Sequence, residues 1–333
     1  MSVTPELAFQ QTIPRRLVHR AAVAEVFLTD AVVIGMDHFL VGAQWPRDHA
    51  LYHPDSQGRS DPLLFAETIR QALVYLAHWH YDVPLGFRFV GRDMDLEITD
   101  PGALRVGSEP LPVTLEARWT RVGNDSPRRQ GMKLEVVLAV MGAVCGRGSL
   151  TLFAVDEKYY RRLRRRTRQD ERPADDPVAR RQRVPAATVG RLRYKDSVLV
   201  QGDTAGEWLL RADLDHAILF DHPTDHLPLM VLLEGFRQLG HLLVHDAEVP
   251  QPERSASSLV LLTTECLAWA ELDEPTRLLV RADSGVREGS GARRLCIEAV
   301  QGDAVVMASE MVWAPDGRGA SEQAAGLLCP LGS

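Results

Sequence analysis

The chain has 333 residues, which is enough to bury a large core and indicates two domains. Its composition is that of an ordinary globular protein, with 45% hydrophobic and 25% charged residues, and its net charge of -7 argues against general affinity for nucleic acid or an anionic membrane surface. No apolar run approaches the roughly 20 residues that span a bilayer, and the first residues lack the apolar core of a signal peptide. The sequence therefore predicts a cytoplasmic protein.

Extended segments surround one long helix in the first half of the sequence. Apolar runs bounded by turn residues predict these segments, and the run that ends at Val155 is typical of a buried central strand. The helix is predicted from Asp61, a suitable N-cap with Pro62 at the first helical position, to about Tyr81. The predicted strands are 18–28 and 38–45 before the helix, and 87–98, 111–122 and 132–155 after it.

The second half repeats this order. A helix is predicted from about Leu227 to Asp246, again with two strands before it and three after it. Strands segregated around one central helix favour an α+β fold with antiparallel sheet over an alternating parallel one. The predicted strands are 189–201, 207–214, 257–271, 276–284 and 293–313.

The two predicted helices carry an internal repeat, which is the strongest pattern in the sequence. Residues 61–71 and 227–238 each contain a proline, an apolar run and then Glu-x-x-Arg-Gln. At 3.6 residues per turn the polar residues fall on one stripe of an otherwise apolar helix. A solvated ion pair contributes only about 0.2–0.5 kcal/mol, whereas polar groups on an enclosed helix need partners or a task. The stripes comprise Glu67, Arg70, Gln71 and His78, and Glu234, Arg237, Gln238, His241 and His245.

An arginine-rich segment separates the halves. Residues 161–183 hold ten arginines and four acidic residues, interleaved with prolines. The segment is either a basic face for an acidic partner or a solvated linker. The predicted organisation is a first repeat at 17–155, an arginine-rich linker at 156–188, a second repeat at 189–314 and a flexible tail at 315–333.

One long helix wrapped by a curved antiparallel sheet, present twice, resembles a tandem (double) hotdog. The stretch 220–234 resembles the acidic-helix signature of hotdog dehydratases that act on acyl carrier protein. The whole chain resembles more closely the A-factor biosynthesis (AfsA-type) family, from about residue 17 to 313. The blocks that carry this resemblance are Val18-His19-Arg20, Glu25 to Thr29, Phe39-Leu40-Val41, Gln44-Trp45-Pro46, Asp61 to Gln71, Val83 to Gly86, Val189-Gly190-Arg191 and Asp221-His222-Pro223 through Arg237-Gln238.

The resemblance implies an acyltransferase of γ-butyrolactone signal biosynthesis. Members move a β-ketoacyl group from acyl carrier protein to the primary hydroxyl of dihydroxyacetone phosphate. The implied partners are therefore the acyl carrier protein and dihydroxyacetone phosphate, with no nucleic acid and no membrane. The paired hotdogs would lie within one chain, as a monomer or a dimer, and the chemistry requires no metal or redox cofactor.

Acyl transfer to an alcohol needs a base, oxyanion donors and a cation for the phosphate. Glu67 and Glu234 are candidate bases, because burial on an apolar helix can raise the pKa of a carboxyl group. Arg70 and Arg237 offer the planar fork that suits phosphate. Hotdog pairs form sites between their halves, so the resemblance favours Glu67 with Arg237 as the principal pair. Gln71 and Gln238 are predicted to support these groups or to donate to the oxyanion.

The second repeat departs from the family pattern before its helix. Leu229 stands where the family usually has glycine after the proline, at the helix N-terminus where a backbone N–H can polarise a thioester carbonyl. The leucine keeps the N–H but crowds the approach. His222 lies in the loop that supplies the dehydratase histidine, although not at the dehydratase spacing, and is a candidate substrate-binding residue. Asp225 or the loop is expected to cap the entry to the helix.

Two other functions are compatible with the sequence. A hotdog dehydratase or thioesterase would act on the same acyl carrier protein thioester, although Glu-x-x-Arg-Gln in both halves counts against reactions that have no phosphate to hold. A catalytically impaired ligand-binding regulator would keep the fold without turnover, and the Leu229 departure is the feature that favours it.

Overall fold

The computed structural model describes residues 6–123, 126–164, 178–204, 206–245, 257–286 and 291–315. The chain divides into two compact units, Met1–Thr167 and Arg168–Ser333. No helix within the described ranges is both long enough and apolar enough to cross a membrane.

The first unit is an antiparallel sheet around one long helix, with strand order β1-β2-β4-β5-β6-β3. The helix α1 packs against β1, β2, β3, β5 and β6, and most of its residues are buried, including the polar Glu67 and Gln71. The elements are β1 Leu28–Gly35, β2 His38–Trp45, α1 Pro62–Trp79, β3 Arg88–Ile98, β4 Leu111–Arg121, β5 Arg129–Val140, β6 Ala143–Val155 and α2 Glu157–Arg164.

The second unit has the same topology, with strand order β7-β8-β10-β11-β12-β9. Its helix α3 packs against β7, β10, β11 and β12. The elements are β7 Leu199–Gln201, β8 Trp208–Leu210, α3 Leu229–Val244, β9 Ser257–Cys266, β10 Thr276–Val286, β11 Arg293–Gln301 and β12 Ala304–Pro315. The α+β tandem hotdog predicted from the sequence is confirmed.

Both long helices begin and end within two residues of their predicted limits. Asp61 caps α1, its side chain accepting a hydrogen bond from the Leu63 amide at 2.8 Å, and Pro62 is the first helical residue. Pro228 precedes α3, and no side-chain cap hydrogen bond is found there among the described residues. Capping of the helix entry by Asp225 or the loop stays a prediction.

The segment before each first strand differs from the prediction. Residues 18–28 and 189–201 are predicted to be strands, but both segments consist mainly of short 3₁₀ turns and irregular backbone, and β1 and β7 begin only at Leu28 and Leu199. The reason is the hydrogen-bond partner of the backbone in this segment. The Phe27 amide donates to Gln71 Oε1 on α1 at 2.9 Å, so this stretch pairs with a helix side chain instead of a neighbouring strand. The 3₁₀ turns in this part of the first unit are Arg15–Val18 and Val23–Glu25, and those in the second are Ala186–Val189 and Tyr194–Asp196.

Each unit has four strands after its helix, and not the predicted three. The run 132–155 is divided into β5 and β6 by a tight turn in which Met141 and Gly142 have φ angles of 50° and 82°. The apolar pattern conceals this turn because Met141 is itself apolar, although 90% exposed. The run 293–313 is divided in the same way at Gly302. Strand β5 is central in its sheet but buries alternate residues, so the continuous burial expected of it is not found.

The arginine-rich segment is ordered at both of its ends. Helix α2 follows β6 along the chain, and its last residue, Arg164, is buried. Arg183 is also buried and donates from Nη2 to Asp213 at 3.0 Å. Residues 165–177, the middle of the predicted linker, lie outside the described residues, as does the predicted tail from 316 onward.

Candidate active site

The polar stripe of α1 forms a buried charge cluster centred on Glu67. The Glu67 side chain is 1% exposed. Its Oε1 lies 2.6 Å from Arg20 Nη2 and 2.8 Å from Arg70 Nη2, and its Oε2 accepts a hydrogen bond from Arg70 Nε at 2.8 Å. Two guanidinium groups therefore share one carboxylate, and the cluster carries two positive charges against one negative charge.

This environment contradicts the pKa expected for Glu67. Burial raises the pKa of the carboxyl group, but the charges and hydrogen bonds of Arg20 and Arg70 outweigh it and hold the pKa at about 2. The expectation of a raised pKa was wrong because it included burial and omitted the arginines. A carboxylate so stabilised is a weak proton acceptor, which argues for Glu67 as the group that positions the two arginines.

The second unit builds a tighter version of this cluster around Glu234. Arg191 donates from Nε to Glu234 Oε1 at 2.7 Å and from Nη2 to Oε2 at 2.5 Å, and both side chains are 0% exposed. Arg237, one helical turn further along α3, donates from Nη1 to the Val189 carbonyl at 2.7 Å. Glu234 is thus enclosed, and Arg237 binds the backbone of the loop that carries Arg191.

The two glutamines make matching contacts in the two units. Gln71 donates from Nε2 to Glu67 Oε1 and to the Glu25 carbonyl, both at 2.7 Å. Gln238 donates to Glu234 Oε1 at 2.5 Å and to the Asp196 carbonyl at 2.7 Å. Both glutamines are fully buried. Their N–H groups are engaged by protein, so the contacts support the bracing role predicted for them and do not supply an oxyanion donor.

A carboxylate–histidine pair lies beyond each glutamine. His49 Nε2 lies 3.3 Å from Glu25 Oε2, and His216 Nε2 lies 3.1 Å from Asp196 Oδ1. In each unit the other ring nitrogen accepts hydrogen bonds from two backbone amides just after the histidine. In each unit the histidine thus links the carboxylate to the backbone of the loop that follows the histidine. The repeat therefore extends well beyond the helices in which the sequence shows it most clearly.

Sequence reasoning missed the roles of Arg20 and Arg191. The signal was present, because Val18-His19-Arg20 and Val189-Gly190-Arg191 are aligned parts of the repeat. An arginine at matching positions before matching buried glutamates indicates an ion pair common to the two units, but the pairing joins residues more than 40 positions apart in sequence. Distance along the chain is what concealed it.

A pair of histidines lies near the C-terminal end of each central helix. In the first unit His78 Nδ1 lies 2.6 Å from the Val83 carbonyl oxygen, and its Nε2 lies 2.9 Å from His19 Nε2. In the second unit His241 stacks on His245 with ring centroids 4.1 Å apart. Burial lowers the pKa of His78. Burial, together with the charges of Arg237 and His245, lowers the pKa of His241 to about 3.

The loop before α3 holds the other predicted substrate-binding residues. Leu229 is the first residue of the helix and is partly buried. The His222 side chain is 52% exposed, with Nδ1 3.5 Å from Asp221 Oδ2. The predicted pair of Glu67 with Arg237 joins the two units and stays a prediction.

Two successive units, each wrapping an antiparallel sheet around a helix with a buried Glu-Arg-Gln cluster, define a duplicated hotdog protein. The chain belongs to the A-factor biosynthesis hotdog domain (AfsA) family, whose model matches residues 2–156 and 172–315. The family predicted from the sequence is thereby confirmed.

Several relatives share the name 2-oxo-3-(phosphooxy)propyl 3-oxoalkanoate synthase. The one from Streptomyces virginiae is 37% identical over 283 residues, covering 83% of this chain and 91% of the relative. Those from Streptomyces griseus and Streptomyces coelicolor are 35% and 31% identical, covering 70% and 79% of this chain and 76% and 80% of the relatives. Among solved structures, a hot dog fold protein from Alicyclobacillus acidocaldarius aligns with 86% of this chain and 96% of its own, at 14% identity and a TM-score of 0.46.

Proposed function

We propose that this protein transfers a 3-oxoacyl (β-ketoacyl) group from the thioester of acyl carrier protein to the primary hydroxyl of dihydroxyacetone phosphate. The product would be a 2-oxo-3-(phosphooxy)propyl 3-oxoalkanoate. The name shared by the relatives supports this reaction, since their similarity extends over most of both chains. The acyl carrier protein as donor follows from the resemblance to the family, and the cytoplasmic location stays a prediction.

The observation that carries the proposal is the excess of guanidinium over carboxylate around Glu67. Arg70 uses Nε and Nη2 to bind Glu67 and the Val18 carbonyl. Its Nη1 has no hydrogen-bond partner in the part of the chain that the structure describes. A guanidinium held in place by a carboxylate, with donor capacity remaining, is suited to a phosphate group. Arg20, on the other side of Glu67, adds a second positive charge.

Partial exposure favours the first unit as the phosphate site. The Arg70 side chain is 16% exposed and the Arg20 side chain 8%, whereas the Arg191 side chain is 0% exposed. A dehydratase or a thioesterase has no phosphate to hold, so a surplus of positive charge beside the helix favours the acyltransferase.

The reaction is tested by incubating the protein with a 3-oxoacyl carrier protein, with and without dihydroxyacetone phosphate, and following the products by mass spectrometry. A phosphorylated ester formed only in the presence of the acceptor supports acyl transfer. Free 3-oxo acid formed without the acceptor would indicate a thioesterase. Loss of water from a 3-hydroxyacyl carrier protein, supplied in a parallel incubation, would indicate a dehydratase. Absence of every product would favour a ligand-binding regulator.

The phosphate site is tested with Arg70→Ala. Losing a charge-assisted contact with phosphate, worth about 1.5–3 kcal/mol, should raise the KM for dihydroxyacetone phosphate roughly 10- to 100-fold. The KM for unphosphorylated dihydroxyacetone should change little. Arg118→Ala, which removes a 64% exposed arginine of the same unit, is the matched control. Equal losses with both acceptors would place the phosphate elsewhere, and Arg237→Ala then tests the other predicted guanidinium.

A further inference from the structure

Acyl transfer to a hydroxyl requires a proton acceptor that neither helix glutamate supplies. The charges of Arg20 and Arg70 keep Glu67 ionised and weakly basic. The Glu234 carboxylate is enclosed at 0% exposure, with both oxygens bound by Arg191. A base should titrate near neutral pH and lie close to the phosphate site. Histidine is the residue whose ordinary pKa meets the first condition.

The hydrogen bonds of His78 fix the proton positions of His19. The Val83 carbonyl oxygen can only accept, so His78 Nδ1 donates to it at 2.6 Å. A neutral His78 then accepts at Nε2, so His19 donates from its own Nε2 across the 2.9 Å contact. Neutral His19 therefore carries its basic lone pair on Nδ1. A histidine oriented by a second group in this way is the arrangement that general bases use.

His19 lies in the turn that forms one wall of the Glu67 cluster. The next residue, Arg20, binds Glu67 directly. The preceding residue, Val18, accepts a hydrogen bond from Arg70 Nη2 at 3.2 Å through its carbonyl oxygen. The turn thus joins His19 to both arginines that we assign to the phosphate. His78 from α1 stacks on the imidazole, with ring centroids 4.9 Å apart, and Phe89 from β3 packs edge-on against it at 5.3 Å.

The backbone at His19 is in the left-handed conformation. Its φ angle is 52°, in the left-handed region that few residues other than glycine adopt. The matching residue of the second unit, Gly190, has a φ of 64° and is the residue that this conformation favours. The first unit thus places an imidazole on this turn, where the second unit has no side chain.

We propose that His19 is the general base of the acyl transfer and that His78 is its positioning residue. The inference rests on the proposed function. His19 Nδ1 accepts the proton of the acceptor hydroxyl while the hydroxyl oxygen bonds to the thioester carbonyl carbon. The C–S bond then breaks, and the departing thiolate takes this proton from the imidazolium. Because the second unit has glycine at this position, the base acts in the first unit alone.

The experiment compares His19→Asn with the wild-type enzyme, using 3-oxoacyl carrier protein and dihydroxyacetone phosphate. Asparagine tolerates the left-handed conformation and does not titrate in the working range. The expected result is a fall in kcat of roughly 10²- to 10⁴-fold, the usual contribution of a general base, with a nearly unchanged KM for the acceptor. The acid limb of the pH–rate profile should disappear. His241→Asn in the second unit is the matched control and should leave kcat unchanged.

Two further variants keep the inference testable if His19→Asn folds poorly. His19→Gly introduces the residue that the second unit carries in this conformation, and added imidazole should restore part of its activity. His78→Leu removes the acceptor for His19 and should lower kcat while displacing the acid limb, with little effect on KM.

Several outcomes would overturn the inference. They are kcat retained within about threefold in both folded His19 variants, a rise in KM without a fall in kcat, or an unchanged pH profile. Failure of the wild-type enzyme to form the ester would instead refute the proposed function, so the two failures are distinguishable.

Discussion

The Glu67 cluster of the first unit and the Glu234 cluster of the second share a frame and differ in access. In both, a helix glutamate binds a loop arginine, and a helix glutamine ties the same carboxylate to the loop backbone. Arg70 joins Glu67 as a second cation, whereas Arg191 binds both oxygens of Glu234 in a fully enclosed pair. The two units therefore share the contacts that join the helix to its loop and differ in the remaining surface of the cluster.

The histidines of the two units show the same divergence in packing. Where the first unit has His19 in the loop and Val74 on the helix, the second has Gly190 in the loop and His241 on the helix. A Cβ atom added at Gly190 would lie 2.6 Å from His241 Nε2. The space beside the cluster is therefore filled from the loop in one unit and from the helix in the other. An exchange of this kind keeps the packing while moving the imidazole.

The largest expected effect separates the two carboxylates. Glu234→Gln leaves the Arg191 charge buried at 0% exposure without its counterion, so we expect a loss of about 3–5 kcal/mol in the free energy of unfolding. Glu67→Gln should cost less, about 1–3 kcal/mol, because Arg20 and Arg70 retain some contact with solvent. Urea unfolding followed by tryptophan fluorescence measures both. Equal losses would remove the distinction between an enclosed and an accessible cluster.

Acid should weaken the two units over different pH ranges. His241 has a folded pKa of about 3 against an ordinary 6.5, so the unfolded chain binds its proton first and the stability due to the neutral ring falls between pH 6.5 and 3. Glu67 has a folded pKa of about 2 against 4.5, so its contribution is complete above pH 4.5 and falls towards pH 2.

Thermal unfolding across pH distinguishes these contributions. His241→Val introduces the residue type found at the matching position of the first unit and should flatten the upper part of the stability curve. Glu67→Gln should flatten only the part below pH 4.5. The lowered pKa of His78 acts in the same direction as that of His241, so some slope should remain below pH 6.5 in the His241 variant. An unchanged curve in both variants would contradict the assignment.

A smaller effect is expected from filling the space at Gly190. Gly190→Ala places a methyl group against His241 and at a φ of 64°, and we expect a loss of about 1–3 kcal/mol. Most of the steric part should be recovered in the double variant Gly190→Ala with His241→Ala, measured as a coupling energy. Additive losses would show that the two residues do not compete for this space.

The smallest expected effect concerns the starts of the two helices. Asp61→Ala removes the hydrogen bond to the Leu63 amide and should destabilise the first unit by about 1 kcal/mol. Pro228→Asp should give α3 a side-chain cap of the kind that Asp61 provides and stabilise the second unit by a smaller amount. Chemical denaturation of each single variant measures the change. A loss in the second variant would mean that Pro228 holds the entry to α3 in another way.

The sequence determined the two helices, the duplication and the family. Helix limits depend on local signals, a 3.6-residue apolar period with Pro62 or Pro228 at the start, and these signals do not need the rest of the chain. The repeat of Glu-x-x-Arg-Gln also placed Arg70 and Gln71 beside Glu67, because residues three and four apart on a helix are neighbours. The hairpin turn at Met141 escaped this reasoning, since an exposed methionine continues an apolar pattern that the backbone interrupts.

Only the tertiary structure decided which partners the two helix glutamates have and whether the pKa of Glu67 is raised or lowered. Whether a buried carboxyl group has a raised or a lowered pKa depends on which charges lie within a few ångströms of it, and Arg20 comes to Glu67 from 47 residues away. The same contact lowers the pKa of Glu67, the predicted base, and brings His19 to the edge of the cluster that Glu67 forms with two arginines. Sequence fixes which groups are available, whereas the fold sets their distances, on which charge interactions depend.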